Sequence, residues 1–124
     1  MRNFKGKLQK LFEEDQRDRK KLKLGSFGYA ELERRDSTRR NEVKKIVEKS
    51  SDAFDGKDCF NSATVLLHST DLTDLNLARK IATRCLTLGY RKSSLLLKIV
   101  EDKTALAMGL EQKHGTQRVK RTRT

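Results

Sequence analysis

Residues 71–109, DLTDLNLARKIATRCLTLGYRKSSLLLKIVEDKTALAMG, contain two apolar segments separated by a single glycine. In both segments the apolar residues recur every three or four positions, which is typical of amphipathic helices. Thr70 or Asp71 can cap the first helix, and Gly89 stands where a left-handed residue commonly ends one. Gly109 stops the second segment. Because the connection between them is short, the two helices are predicted to pack as an antiparallel hairpin.

The chain before this hairpin carries signals for further helices. Apolar residues with helical spacing run from Phe4 to Phe12, so a first helix is predicted over about residues 3–24. The segment GSFGY that follows has two glycines and a serine within five residues, which predicts a loop over about 25–30. The remaining helices are expected within about 31–109.

Side chains that can cap helices mark where two of these helices should begin. Asp36, Ser37 and Thr38 precede a basic segment with an apolar stripe, and Asp58 precedes an apolar run that extends to His68. Short oxygen-bearing side chains accept hydrogen bonds from the free N–H groups of a first turn. Asp36 to Thr38 are therefore N-cap candidates for the second helix, and Asp58 is the candidate for the third.

The fold class predicted by these patterns is all-α. Proline is absent and alternation of β-branched residues is scarce, so strands are not expected. The sequence predicts a small single-domain bundle of about five helices. Residues 1–117 are assigned to this helical domain, which closes with a polar strap over 110–117, and residues 118–124 are assigned to a flexible basic tail.

The composition limits the size of the core and the expected compartment. The chain has 124 residues, of which 35% are hydrophobic and 37% are charged, so one domain with a thin core is expected. No apolar run approaches the roughly 20 residues of a membrane span, and the first residues lack the apolar core of a signal peptide. Cys59 and Cys85 are expected to be reduced and buried. A cytoplasmic protein with no membrane partner is therefore predicted.

The positive charge is concentrated at the two ends of the chain. The net charge is +12, with +7 in residues 1–50 and +1 in residues 51–117. Such ends attract polyanions without base specificity, so RNA or DNA is a possible partner, while a solvated surface is the simpler interpretation. The candidate nucleic-acid contacts in the tail are Arg118, Lys120, Arg121 and Arg123.

Several polar residues occupy positions that a helical bundle does not require. His68 ends an apolar run, and it is either a structural residue at a helix end or a general acid/base oriented by Asp102. Asp102 and Lys103 are adjacent within the fifth helix, so they cannot pair along it. The candidate contacts for a ligand are Asp15, Gln16, Arg19, Lys103, Gln112, His114, Thr116 and Gln117.

Known catalytic signatures are missing from the chain. It contains no H-E-x-x-H, P-loop, G-x-S-x-G or C-x-x-C motif. His68, Asp71 and Asp74 have no spacing known for metal ligands, so no metal and no cofactor are expected.

The order of the polar motifs resembles that of an uncharacterised bacterial family of small helical domains that close with Q-x-Y-G-T-Q. The matching elements are Asp15-Gln16-x-x-Arg19, Asp36-x(4)-Asn41, His68 after an apolar run, Asp102-Lys103, and Gln112-x-x-Gly115-Thr116-Gln117. They cover about residues 8–117. The resemblance implies a helical fold and one shared polar site that includes the strap, and it implies no particular reaction.

The chain departs from the family pattern at four places. Lys103 stands where the family usually has Arg, which removes a bidentate guanidinium. Leu67 replaces a usual Gln before His68, and His114 replaces the usual aromatic residue. A Gly-Trp-Pro-like element common in the middle of the family is absent. These differences bear directly on the residues that the resemblance places in the site.

Three functions stay open at this point. The first is an acid/base enzyme that acts on a small molecule or peptide through His68. The second is a sequence-independent nucleic-acid-binding protein, which includes a ribonuclease-like variant that uses His68 and His114. The third is a protein-interaction module in which the polar residues only fix the strap.

Overall fold

The computed structural model describes residues 4–118 and consists of helices joined by short connections, with no β-strand in that range. This confirms the predicted all-α bundle. The helices are α1 (Phe4–Lys23), α2 (Tyr29–Ser50), α3 (Gly56–Leu66), α4 (Leu72–Thr87) and α5 (Ser93–Ala107), with a short 3₁₀ turn (Ser51–Ala53) after α2.

The short helix α3 forms the centre of the bundle. It packs against the other four helices, and α4 and α5 also pack against each other. Most of its side chains are buried, and burial of apolar area is the main stabilising contribution in such a bundle. The core is built from small and aliphatic side chains, among them Leu8, Val43, Ala63, Leu66, Leu75 and Val100. Cys59 and Cys85 lie in this core as free thiols.

The α4–α5 hairpin depends on the left-handed glycine between its helices. Gly89 has a φ of 84°, which residues with a side chain rarely adopt. Its N–H donates to the Leu86 carbonyl at 2.8 Å, and the Tyr90 N–H donates to the Cys85 carbonyl at 3.1 Å. These two bonds satisfy the last carbonyl groups of α4 and turn the chain back toward α5. Gly109 ends α5 with the same backbone geometry.

The third helix begins with a capping box, three residues before the position predicted from the sequence. Asp55 is the N-cap of α3, and its carboxylate accepts a hydrogen bond from the Asp58 N–H at 2.9 Å. The Asp58 carboxylate in turn accepts from the Asp55 N–H at 3.0 Å. The predicted cap at Asp58 is therefore wrong, because Asp58 is the reciprocal partner of the cap.

The predicted caps at Asp36, Ser37 and Thr38 are also wrong. Helix α2 begins at Tyr29, so these residues lie inside it. The Asp36 carboxylate instead accepts bonds from the guanidinium groups of Arg19 in α1 and Arg39 in α2. Asp36 has the local pattern of a cap, but its ionic partner Arg19 lies 17 residues away in the chain, where no local pattern reveals it.

Buried ion pairs join α1 to α2. Arg19 Nη2 lies 2.7 Å from Asp36 Oδ2, and Arg39 bridges Asp18 of α1 at 2.6 Å and Asp36 at 2.8 Å. Asp36 is 4% exposed and Arg39 is 5% exposed. Burial raises the pKa of the Asp36 carboxyl, but hydrogen bonds from the two arginines outweigh burial and leave it below its usual value. The interface is therefore sensitive to the loss of any one charge.

Neutralising the Asp36 carboxylate distinguishes its role in ion pairs from the role of a helix cap. We expect Asp36→Asn to lower the free energy of unfolding by about 3 kcal/mol, since it leaves buried guanidinium charge without its anion. Asn is as good an N-cap as Asp, so the same change at Asp71, the actual N-cap of α4, should cost about 0.5 kcal/mol or less. Urea unfolding of both variants measures the difference. Equal, small effects would contradict the ionic role of Asp36.

Candidate functional site

A cavity of about 420 Å³ opens between α1, α3, α5 and the strap. This volume is within the range of small-molecule sites. Its apolar wall consists of Phe12, Phe60, Leu67, Leu95, Leu96 and Ile99. Its polar wall includes Gln16, Arg19, Thr64, His68, Lys103 and Gln117.

His68 stands at the edge of this cavity, just after the C-terminal end of α3. The backbone around it is held from two sides: its carbonyl accepts a hydrogen bond from Arg40 Nη1, and the next residue, Ser69, donates its hydroxyl to Asp74 at 2.8 Å. Arg40 is itself fixed by Glu33, with Nη2 and Oε1 2.6 Å apart. The imidazole is thereby presented from a short, well-anchored connection between α3 and α4.

The acidic partner of His68 is Asp15 of α1. His68 Nε2 lies 3.2 Å from Asp15 Oδ2, without the alignment of a full hydrogen bond. Asp15 is 0% exposed, and its carboxylate also accepts from Gln16 Nε2 at 2.7 Å and from Arg19 Nη1 at 3.0 Å. The carboxylate is therefore held by two other side chains, next to a His68 side chain that is only 19% exposed.

The surroundings of His68 favour its neutral form. Burial lowers the pKa of the imidazole, the Asp15 carboxylate raises it, and the nearby charges of Arg19 and Lys103 lower it. The net effect is a pKa below the usual 6.5. His68 is thus an unprotonated imidazole at neutral pH, and such a group can accept a proton.

Asp102 does not contact His68, so the predicted pairing of these two residues is wrong. Its carboxylate accepts four hydrogen bonds from the strap: the N–H groups of Lys113 and His114 at 2.8 Å each, the Thr116 N–H at 2.7 Å and the Thr116 hydroxyl at 2.6 Å. Burial would raise the pKa of the Asp102 carboxyl, but these donors lower it to about 2. Asp102 fixes the strap against α5.

The strap is further closed by its own glutamines. The Gln112 side chain donates Nε2 to the Gln117 carbonyl and accepts the Gln117 N–H, both at 2.8 Å. Gly115 lies between them with a φ of 69°. This loop carries Gln117 to the edge of the cavity, whereas Gln112 and Thr116 serve as supports and are not part of its lining.

His114 lies apart from the cavity. His114 Nε2 is 2.7 Å from Glu101 Oε1 at the surface, and His114 is not among the residues that line the cavity. A ribonuclease-like couple of His68 and His114 within one cavity is therefore not formed. Arg118 is exposed, and the tail residues Lys120, Arg121 and Arg123 lie outside the described range.

The structure brings together six of the residues selected from the sequence: Asp15 lies beneath His68, and Gln16, Arg19, Lys103 and Gln117 line the same cavity. The apolar wall was missed. Its main ring pair, Phe12 and Phe60, has centroids 6.0 Å apart, and only Phe12 had a signal in the sequence, as part of the apolar face of α1. Arg40 was missed too, because it resembled one more surface cation in a basic segment.

Comparisons of the chain with protein-family models, with curated proteins and with solved structures find no match. The resemblance to a family that closes with Q-x-Y-G-T-Q stays a prediction. Within residues 4–118, no group of three or more His, Cys, Asp or Glu side chains is placed to hold a metal ion. None of the described helices is long and apolar enough to cross a bilayer.

The proton affinity of His68 can be measured directly. We expect an imidazole pKa below 6.5 in the folded protein. An NMR titration of the ring carbon signals measures this pKa. Because burial disfavours the charged imidazole, the folded state binds this proton less readily than the unfolded chain does. The free energy of unfolding should therefore fall as the pH decreases below about 6.5.

The Asp15→Asn variant should lower this pKa further, since it removes the charge that raises it. Glu48→Gln makes the same charge change at an exposed position of α2 and should leave the titration unchanged. A pKa unaffected by Asp15→Asn would contradict the pairing of Asp15 with His68.

Proposed function

We propose that the cavity is an acid–base site that acts on a small molecule or a peptide, with His68 as the proton acceptor. The observation that carries this proposal is the pair of His68 with the fully buried Asp15 carboxylate at the wall of a cavity of about 420 Å³. A carboxylate that orients an imidazole and stabilises its protonated form is a recurrent arrangement for general acid–base chemistry.

The roles of the neighbouring residues follow from their contacts. His68 Nε2 faces Asp15, and this leaves Nδ1, which makes no protein hydrogen bond among residues 4–118, for a bound ligand. Arg19 fixes Asp15 through an ion pair at 3.0 Å and is therefore a positioning residue. Gln117 and Lys103 add further polar groups to the lining of the cavity. A proton taken by His68 would form an imidazolium ion that Asp15 stabilises.

Substitution of the two histidines tests the proposal. We expect His68→Gln to reduce turnover about a hundredfold or more for any substrate found in a panel of small esters, phosphate esters and peptides, because no proton acceptor remains. His114→Gln, at the only other histidine, should retain the activity.

The opposing outcome has its own signature. If His68 only satisfies a buried network, His68→Gln should lower the free energy of unfolding by about 1–3 kcal/mol and leave turnover at the level of His114→Gln. Equal turnover of the two variants would therefore overturn the acid–base role, whatever their stabilities.

A second candidate function is sequence-independent binding of RNA or DNA. Helix α1 carries a group of exposed cations that have no carboxylate within 4.0 Å among the described residues, in contrast to the paired arginines of α2. Unpaired cations on one helix are available to phosphate groups. The members of this group are Lys10, Arg17, Lys20, Lys21 and Lys23.

The dependence of binding on salt distinguishes α1 from the tail. For binding to single-stranded RNA, we expect the slope of log affinity against log salt to flatten by about 0.7 for each phosphate group that a variant no longer neutralises. Replacing Lys20, Lys21 and Lys23 with Ser tests α1, and the same change at Arg118, Lys120, Arg121 and Arg123 tests the tail. A wild-type protein that does not bind at about 50 mM salt would overturn this function.

A further inference from the structure

Lys103 of α5 is a cation that has no carboxylate partner in the part of the chain that the structure describes. Its side chain is partly buried and lines three cavities. One is the cavity of about 420 Å³, and the other two are neighbouring cavities of about 190 and 390 Å³. No carboxylate within residues 4–118 lies within 4.0 Å of its amine. By contrast, the two arginines whose charges act on Lys103 have carboxylate partners: Arg19 pairs with Asp15 and Asp36, and Arg40 with Glu33.

The charges around Lys103 make a bound anion favourable. Burial lowers the pKa of its ammonium group, and Arg19 and Arg40 lower it further. The carboxylates of Asp36 and Asp15 oppose them without reversing the direction. A partly buried ammonium group is stabilised when an anion enters its surroundings. Lys92, which is exposed and also has no carboxylate within 4.0 Å in the described part of the chain, lies on the rim of the same cavity.

The rest of the cavity has apolar walls that would bind the apolar part of a ligand. Phe12 and Phe60 form one side, and Leu95, Leu96 and Ile99 of α5 form the other. Leu95 is 61% exposed, so a ligand that covers it removes apolar surface from water. Ile99 and Lys103 stand one helical turn apart on α5, so the cation and the apolar wall share one face of this helix.

We propose that the ligand of this cavity is a small amphipathic anion, whose carboxylate or phosphate group binds Lys103 and whose apolar part packs between the phenylalanine pair and α5. This inference rests on the proposed acid–base site, since it names the class of molecule that His68 would act on. The amide of Gln117 lies at the same end of the cavity as Lys103 and can donate a hydrogen bond to the anionic group.

The competing ligand classes fit less well. A cation would meet Lys103 without a compensating carboxylate, because Asp15 is already surrounded by Gln16, Arg19 and His68. A neutral apolar molecule would cover the aromatic wall. It would also displace water from the Lys103 ammonium group without offering this charge a partner, which is unfavourable. A small inorganic anion would pair with Lys103 and gain nothing from the wall.

Three probes that differ by one feature each test the class of ligand. Octanoate has both the anion and the apolar chain, octanol has only the chain, and acetate has only the anion. In NMR titrations of the full chain, we expect octanoate to shift the signals of Ile99, His68 and Gln117 at concentrations where octanol and acetate do not. Octyl phosphate in a parallel titration shows which of the two anionic groups binds more tightly.

Variants on α5 show whether octanoate binding depends on Lys103 itself or only on the net positive charge of the protein. We expect Lys103→Gln to weaken octanoate binding about tenfold, because a charge-assisted bond is removed, whereas Lys103→Arg should keep most of the affinity. Lys98→Gln removes an exposed charge from the same helix and should have no effect. Leu95→Ser should weaken binding, and Leu88→Ser, at an exposed leucine outside the cavity lining, should not.

Each opposing result identifies what has failed. Octanol that binds as tightly as octanoate, or equal affinities for Lys103→Gln and Lys98→Gln, would overturn the anionic class of ligand. Binding of none of the four probes would overturn it too, while a lowered His68 pKa and a loss of turnover in His68→Gln would leave the acid–base site standing. Octanoate binding without any effect of His68→Gln on turnover would support the ligand class and overturn only the reaction.

Discussion

The arrangement of the bundle and of the site depends on the ion pairs of the Arg19 guanidinium group. This group holds Asp15 of its own helix at 3.0 Å and Asp36 of α2 at 2.7 Å, and Asp15 in turn lies 3.2 Å from His68 after α3. One side chain therefore links three parts of the chain through buried carboxylates. Such buried ions are stable only while all of their partners are present, so the geometry at His68 is tied to the packing of α1 on α2.

The helical architecture was readable from the sequence because its signals are local. Apolar periodicity and the glycine between α4 and α5 depend only on neighbouring residues, and Gly89 ends α4 as the pattern predicts. The start of α2 was not readable, because its first turns pack through charged residues and lack an apolar stripe. Asp36 has the composition of a cap, and nothing nearby in the sequence reveals Arg19 as its partner.

The members of the site could be selected from the sequence, but their pairing could not. His68 and Lys103 were noticeable as polar residues beside apolar runs. Which carboxylate faces His68 depends on how α1 crosses α3, and this crossing is set by core residues such as Leu8 and Leu66 and not by any motif. The sequence predicts a pair of Asp102 and His68 because both stand out as polar, whereas the N–H groups that bind Asp102 belong to the strap, 11 to 14 residues further along the chain.

The fastening of the strap to a single carboxylate has a consequence for how the molecule opens. The amide hydrogens of Lys113, His114 and Thr116 all point at Asp102, so they lose their acceptor in one event and not one after another. The strap is then a separate cooperative unit, able to exchange its amide hydrogens with solvent while the helices stay folded. Since Gln117 moves with it, each such opening also displaces one of the residues that line the cavity beside His68.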